Sequence, residues 1–433
     1  MTVPFWVIEP ADDRPRLVHV NATATGGGVA ELLSGLVPAQ RARGTNAAWA
    51  VTGGNAEFFA VTKYLYRLLH GQVAAAPLDD PEYLAVYRAV LAGQAPWFLA
   101  HIGPGDVAVL HDTQTIGLAP ALRAAGARVV WHCHVGAEIP SERGPGAVWR
   151  ALAGELAAVD AVVTTLPQFA PPGVPDGRRF VAAPAVDTDA PKNRELAPGE
   201  GAALLDEVGL TAARTSPRAA IVQDAPLPRD ARVVVQVSRW DPLKDMVGVV
   251  RCFAGLPPDV HLVLAGTDPS EVSDDPEGRA VLAEVLRVRA ELPPAERARV
   301  HLVSLSMRPP EWSALVVNAL QRRADVVVQK SLEEGFGLTV TEAMVKGRAV
   351  VASAVGGIRL QIADGENGVL VDPADTAGVR RALARLLDDP ALRRRLGEHA
   401  RRSATARYTM RRLADDYARV AAPDAAGATP PAS

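Results

Sequence analysis

Arg239 and Lys244 stand with four residues between them in the run Ser238-Arg239-Trp240-Asp241-Pro242-Leu243-Lys244-Asp245, a spacing that lets two cations converge on one diphosphate. Negative charge that builds on a departing diphosphate is stabilised most by cations already in place. Taken alone, an Arg and a Lys are as readily members of weak surface ion pairs. Glu334 and Glu342, with seven residues between them, flank Gly335-Phe336-Gly337 in the stretch from Gln329 to Ala343. Glu334, before the two glycines, can reach sugar hydroxyls, and Glu342, expected in the first turn of a helix, can reach a ribose hydroxyl pair. The amides of Leu338 and Thr339 open that helix and offer N–H groups, with the positive end of the helix dipole, to a phosphate.

Three further groups carry weaker signals. Thr25-Gly26-Gly27-Gly28-Val29-Ala30-Glu31 lets backbone approach a ligand closely at another helix start, although a simple flexible turn explains a glycine run nearly as well. His132 and His134 flank Cys133 in an expected strand, so the two imidazoles share one face and the thiol takes the other. Metal binding by that pair is discounted for want of a third ligand at convincing spacing, and a buried structural histidine is the ordinary alternative. In His111-Asp112-Thr113-Gln114, Asp112 and Gln114 can hydrogen-bond sugar hydroxyls, or Asp112 can simply cap a helix.

These groups need strand ends and helix starts to hold them, and the chain supplies both. Ala324 to Gln329 is a continuous apolar, β-branched run of the kind that forms an interior parallel strand, while Thr339 to Lys346 has helical character and Gly347 stops it. A first series of strands is expected at Arg16–Asn21, Val107–His111, Ala127–His134 and Ala161–Thr164, with a helix from Val29 to about Arg43. A second series is expected at Arg232–Arg239, Val260–Gly266, Val300–Val303, Asp325–Gln329 and Ala349–Ala352. Strands alternating with helices imply parallel sheets covered by helices, and ligands bind such sheets at the carboxyl ends of the strands.

The chain has 433 residues, of which 48% are hydrophobic, enough for more than one core. Its formal charge of −3 leaves no basic footprint for nucleic acid or an anionic membrane. The two cysteines, Cys133 and Cys252, lie far apart, which argues against a disulfide framework and for a reducing compartment. The first ten residues lack the basic region of a signal peptide and no apolar run is long enough to span a bilayer. A cytoplasmic location is therefore expected.

The Glu334-to-Glu342 loop and the Arg239/Lys244 pair resemble the Glu-x7-Glu and Arg-x4-Lys motifs of retaining glycosyltransferases of family 4, whose fold has two Rossmann-like domains (GT-B) facing across a deep cleft. Runs over most of the chain are similar to one subgroup, the trehalose glycosyltransferring synthases: Asn21 with Gly26 to Glu31, Glu57 to Lys63, Gln236 to Asp245, Asp274 to Gly278, Val317 to Arg322, and Gln329 to Glu342. The resemblance implies that His134 lies against the transferred sugar and His132 is packing, that Gly27 and Gly28 form a donor and acceptor loop, and that Gly266-Thr267 is a base-binding turn. It also places the pair Gly356-Gly357 near the donor sugar, with Arg359 where the family usually has Pro. Together with Val135-Gly136 after His134 and Ser353-Ala354, this departure puts the acceptor in question, and residues 214–230 are an addition to the family's pattern.

The reading is an α/β protein organised as residues 1–190, an acceptor domain; 191–231, connection and insertion; 232–399, a nucleotide-sugar domain; 400–420, a helix crossing back to the first domain; and 421–433, a disordered tail. It is expected to be a retaining, metal-independent transferase with Arg239, Lys244, Glu334 and His134 as catalytic residues. Gly27, Gly28, Gly266, Gly337, Leu338, Thr339 and Glu342 are assigned to the donor, and Asp112, Gln114, Gly357 and Arg359 to the acceptor. No metal and no cofactor are expected. The partners are a nucleoside-diphosphate sugar and a small acceptor, glucose first and a cyclitol, amino sugar, thiol or alcohol as the alternative, with homodimerisation left open. A nucleotide-sugar epimerase would make product from donor alone, and a binding protein would show no turnover.

Overall fold

The computed structural model describes residues 3–13, 15–25, 27–72, 78, 82–137, 141–271 and 277–422. Gly26, the run from Asp274 to Pro276 and positions 423–433 of the expected tail lie outside the described residues. The chain divides into two compact units, Met1–Ala185 with Met410–Ser433, and Val186–Thr409.

The first unit is built on a seven-stranded sheet: β1 (Phe5–Ile8), β2 (Leu17–Asn21), β3 (Ala47–Val51), β4 (Val107–His111), β5 (Arg128–Cys133), β6 (Ala161–Thr164) and β7 (Arg179–Val181), in spatial order β1-β3-β2-β4-β5-β6-β7. Only β1 runs antiparallel, against β3 at the edge; the other neighbours are parallel. The two-residue period of each strand feeds two cores. Val18, Val20, Leu110, Val129 and Trp131 join one, while Leu17, Trp49, Val109, Val130 and Val163 join the other. Sheets buried on both faces read as near-continuous apolar runs, which is why β2 and β4 to β6 were legible; the short edge strand β1 and the alanine-rich β3 were not.

The second unit repeats the plan with β8 (Ala219–Val222), β9 (Arg232–Val237), β10 (Val260–Thr267), β11 (Val300–Leu305), β12 (Val326–Gln329), β13 (Ala349–Ser353) and β14 (Val369–Val371), ordered β14-β13-β12-β9-β10-β11-β8. Here β8 is the antiparallel edge, in register Leu302 to Val222 and Leu305 to Ala219. Strand order reverses at β9 and β12 in this unit and at β2 and β4 in the first, so each sheet has a switch point where the loops after two neighbouring strands diverge.

The unit borders differ from the expected ones. The first unit ends at Ala185, and residues 191–231 belong to the second, where the helix Glu200–Glu207 packs and the 214–230 addition supplies β8. The helix Pro390–Arg407 stays with the second unit, whose end is pinned by Tyr408 donating through its hydroxyl to the Leu360 carbonyl at 2.7 Å. Only the helix Met410–Ala421 returns to the first unit, burying Leu413, Ala414, Tyr417 and Val420. The crossing element is thus 410–421 rather than 400–420, because the break falls at Tyr408 and Thr409. Among the described residues no helix is long and apolar enough to cross a membrane.

Candidate functional site

In the second unit, β9 ends at Val237 and the chain turns through a short 3₁₀ segment, Pro242–Lys244. Asp241 shapes that turn: it accepts from the Leu243 amide at 2.9 Å and from Arg239 Nη2 at 3.0 Å. Lys244 leaves it aimed at the loop after the neighbouring β12. Its ammonium meets both carboxylate oxygens of Glu334, at 2.7 and 2.6 Å, and Ser331 donates to Oε2 at 3.0 Å. Both side chains of this pair are only about a tenth exposed, at 12% and 11%. A second pair lies beneath, Lys330 with Asp245. Gln236 ties the two loops together, donating to the Lys244 carbonyl at 2.8 Å and accepting from the Lys330 amide at 3.0 Å. Two residues separated by 90 positions are therefore joined at the sheet's switch point, a direct ion pair that the spacing of Arg239 and Lys244 did not announce.

Glycines hold the Glu334 loop. Gly337 has φ +88° as the N-cap of the helix Leu338–Val345, a conformation that favours residues without Cβ. The amides of Leu338 and Thr339 fall in the first turn of that helix, whose leading N–H groups have no carbonyl within the helix to bond. Gly356 has φ +46°, and a Cβ there would lie 1.7 Å from the Glu334 carbonyl oxygen. A Cβ on Gly357 would come within 2.6 Å of the Gly335 oxygen and the Phe336 Cα. The pair assigned from resemblance to the sugar's surroundings is thus required for packing against the Glu334 loop, while Arg359 just beyond it is exposed.

Two donor assignments change in detail. Glu342 is the fifth residue of its helix, in the second turn rather than the first, and is 1% exposed. Its Oε1 lies 3.0 Å from Lys192, a partner supplied by a distant segment that spacing along the helix does not reveal. Gly266 is not in a turn but inside β10, opposite Ser304. A Cβ there would meet the Ser238 carbonyl at 2.6 Å, so glycine lets the loop after β9 lie against the strand.

In the first unit, Gly27 is the N-cap of the helix Gly28–Ala42, and a Cβ at Gly27 would meet nothing within 4 Å. Packing makes no demand for glycine at that position. Asp112 does not cap a helix: it takes the left-handed φ of 57°, and its Oδ1 accepts from the His134 amide at 2.7 Å, joining the loops after β4 and β5. Burial raises its carboxyl to about 7. Gln114 is half-buried in the same loop.

Around His134 the structure gathers more histidine than spacing suggested. His19 on β2, His111 on β4 and His132 on β5 are buried beside it. His132 faces the Tyr417 hydroxyl and its ring stacks on His134 with centroids 3.8 Å apart, which agrees with a packing role. The third nitrogen ligand missing from the sequence reading is His111: one nitrogen each of His111, His132 and His134 lie within 4.8 Å of one another. The rings of His132 and His134 are stacked with planes 25° apart, and a shared ion would have to lie well out of the plane of at least one of them, a poor geometry for an imidazole ligand. His111 Nδ1 instead lies 2.8 Å from His134 Nε2, a hydrogen bond. Desolvation lowers His19 to about 4 and His134 to about 3, and pushes His111 and His132 well below the usual range. All four rings are therefore neutral near pH 7. His19, His111 and Lys192 were not singled out by spacing; a histidine recurring on β2, β4 and β5 was the available signal for the first two.

Two Rossmann-like sheets in one chain, the second carrying Arg239, Lys244 and a helix N-terminus at its switch point, define a glycosyltransferase of the GT-B type. Residues 19–171 match the family model for the trehalose synthase N-terminal domain, and residues 313–403 that for glycosyl transferases group 1. Trehalose synthase of Rubrobacter xylanophilus is 34% identical over 413 residues, 93% of this chain and 89% of that one. Trehalose synthase of Pyrococcus horikoshii is 32% identical over 405 residues, 92% of this chain and 88% of the relative. The chain belongs to the trehalose synthase family of glycosyltransferases. Among solved structures, a UDP-forming α,α-trehalose-phosphate synthase from Burkholderia xenovorans superposes with TM-score 0.70, 18% identity and coverage of 95% and 100%. Sucrose-phosphate synthase from Thermosynechococcus elongatus does so with TM-score 0.65, 20% identity and coverage of 94% and 98%. At these identities the likeness speaks to the fold.

Proposed function

We propose that the protein transfers a hexosyl group, with retention of anomeric configuration and without a metal ion, from a nucleoside-diphosphate sugar to a small acceptor, glucose in the first instance. The observation that carries this reading is the Lys244–Glu334 contact at the β9/β12 switch point, with both charges largely removed from water. A lysine fixed there beside a helix N-terminus is a preorganised electrostatic device. It costs little reorganisation when charge develops on the departing diphosphate. In this reading Arg239, Lys244 and the amides of Leu338 and Thr339 stabilise the diphosphate, and Glu342 takes the ribose hydroxyls. Glu334 and His134 orient the sugar, while Asp112 and Gln114 serve the acceptor. The acceptor hydroxyl attacks on the face the diphosphate leaves, and a diphosphate oxygen takes its proton, so no enzyme nucleophile is needed.

The names of the relatives favour glucose as acceptor: trehalose synthases match over most of the chain, and one solved neighbour is a trehalose-phosphate synthase in complex with glucose-6-phosphate. The test is incubation with ADP-, UDP- and GDP-glucose and free glucose, with and without EDTA, reading product and anomeric configuration by proton NMR. An α,α-linked disaccharide formed in EDTA supports the proposal. Product from cyclitols or amino sugars but not from glucose would replace the acceptor, and loss of turnover in EDTA would remove the metal-independent mechanism.

A further inference from the structure

Three hydrogen bonds run in series from the middle of the first unit to the end of its sheet. Gln40 Oε1 lies 3.0 Å from His19 Nε2, His19 Nδ1 lies 2.9 Å from His111 Nε2, and His111 Nδ1 lies 2.8 Å from His134 Nε2. Gln40, His19 and His111 are each at most 1% exposed, so water does not interrupt the series. A neutral imidazole has one N–H and one lone pair, and burial keeps these rings neutral. With the carbonyl end of the Gln40 amide turned to His19, the hydrogens are assigned in order from the inner end. The carbonyl oxygen of Gln40 can only accept, so His19 carries its hydrogen on Nε2 and has a bare Nδ1. That nitrogen requires the hydrogen of His111 Nε2, which leaves His111 Nδ1 bare to accept from His134 Nε2. The lone pair of His134 is left on Nδ1.

We propose that Gln40, His19 and His111 are positioning residues that fix His134 as the Nε2–H tautomer, so that its Nδ1 meets substrate as an acceptor for a sugar hydroxyl. The inference rests on the assignment of His134 to the sugar made above. His132 stays outside the series: its Nδ1 faces the Tyr417 hydroxyl, and its ring covers a face of His134. A Gln40 amide turned end for end would donate to His19 and reverse every hydrogen as far as His134, which makes the direction measurable.

The experiment has two arms. In protein labelled with ¹⁵N-histidine, long-range ¹H–¹⁵N spectra at pH 7 report the tautomer of each ring. His19, His111 and His134 are expected as Nε2–H, and any of them as Nδ1–H overturns the relay whatever the enzyme's substrate. The second arm compares Gln40→Met in the parent and in a His134→Ala background, with melting temperature as a control on folding. Losing the terminal acceptor is expected to mix the tautomers of His134 and to lower kcat/KM about five- to tenfold, the worth of one neutral hydrogen bond. In His134→Ala the same substitution is expected to change kcat/KM less than twofold. Equal losses in both backgrounds would make Gln40 merely structural and overturn the proposal. Full activity of His134→Ala alone would instead remove the role of His134, a different failure, which the spectra separate from a wrong tautomer. If Gln40→Met does not fold, the spectra of the parent protein decide the matter.

Discussion

Replacing Lys244 by Met separates what the Lys244–Glu334 pair does for stability from what it does for transfer. The lysine bonds both oxygens of a carboxylate, at 2.7 and 2.6 Å, with side-chain exposures of 12% and 11%. Removing one member of a buried pair costs about 3–5 kcal/mol, because the remaining charge is left without its partner. Ser331 still donates to Glu334 at 3.0 Å, which puts the loss at the lower end, about 3 kcal/mol. For a unit of this size that is a fall of roughly 6–12 °C in the melting temperature of the second unit. The double variant Lys244→Met/Glu334→Gln removes both charges together and is expected to recover to within about 1 kcal/mol of the parent. Turnover does not recover: each variant lacks the cation facing the diphosphate and is expected to lose on the order of 100-fold in kcat. Calorimetry and an assay of nucleoside-diphosphate release read the two effects separately. A single variant that melts with the parent, or a double variant no more stable than the single one, would refute the buried-pair reasoning. Turnover within a few-fold of the parent in either would refute the diphosphate clamp.

Gly356→Ala places a methyl group 1.7 Å from the Glu334 carbonyl at φ +46°; it is expected to displace the loop and abolish most transfer, whereas Gly27→Ala, with nothing within 4 Å, should cost no more than the N-cap preference, about 1 kcal/mol. Stability should fall between pH 7 and pH 5. Burial lowers His19, His134 and His301 to about 4, 3 and 3. The unfolded chain therefore takes protons first, so nothing is lost above pH 6.5 and each ring costs about 2 kcal/mol at pH 5. Asp112, raised to about 7, has the opposite sign and returns about 2 kcal/mol over the same interval. Urea midpoints that do not move between these pH values would contradict the neutral buried cluster. Lys192→Met removes the partner 3.0 Å from the buried Glu342; it should weaken donor binding or destabilise the second unit, and parent-like values of both KM and urea midpoint would show the pair to be without consequence.

Most of the sheet framework was legible because its strands are buried on both faces, so β2, β4 to β6 and β9 to β13 stand out as apolar runs. The edges were not: β1 and β8 are short and half-exposed, and the exposed face of an edge strand has no reason to be apolar. The end of the second unit was misplaced by about ten residues, because helices on either side of Tyr408 share the same charged character and only their packing partners differ. In the same way, Glu342 was singled out by spacing, while its partner Lys192 came from a segment without regular structure.

The sequence alone determined the two parallel sheets and the loops that end their strands, since hydrophobic period and glycine placement are local properties of the chain. It also determined that Arg239, Lys244, Glu334 and His134 lie at carboxyl ends of strands. Tertiary structure decided who meets whom: Lys244 with Glu334, Lys192 with Glu342, Asp112 with the His134 amide, and His19 with His111. These contacts join residues brought together by strand order, and strand order is set by how whole elements pack, which no spacing within one segment records.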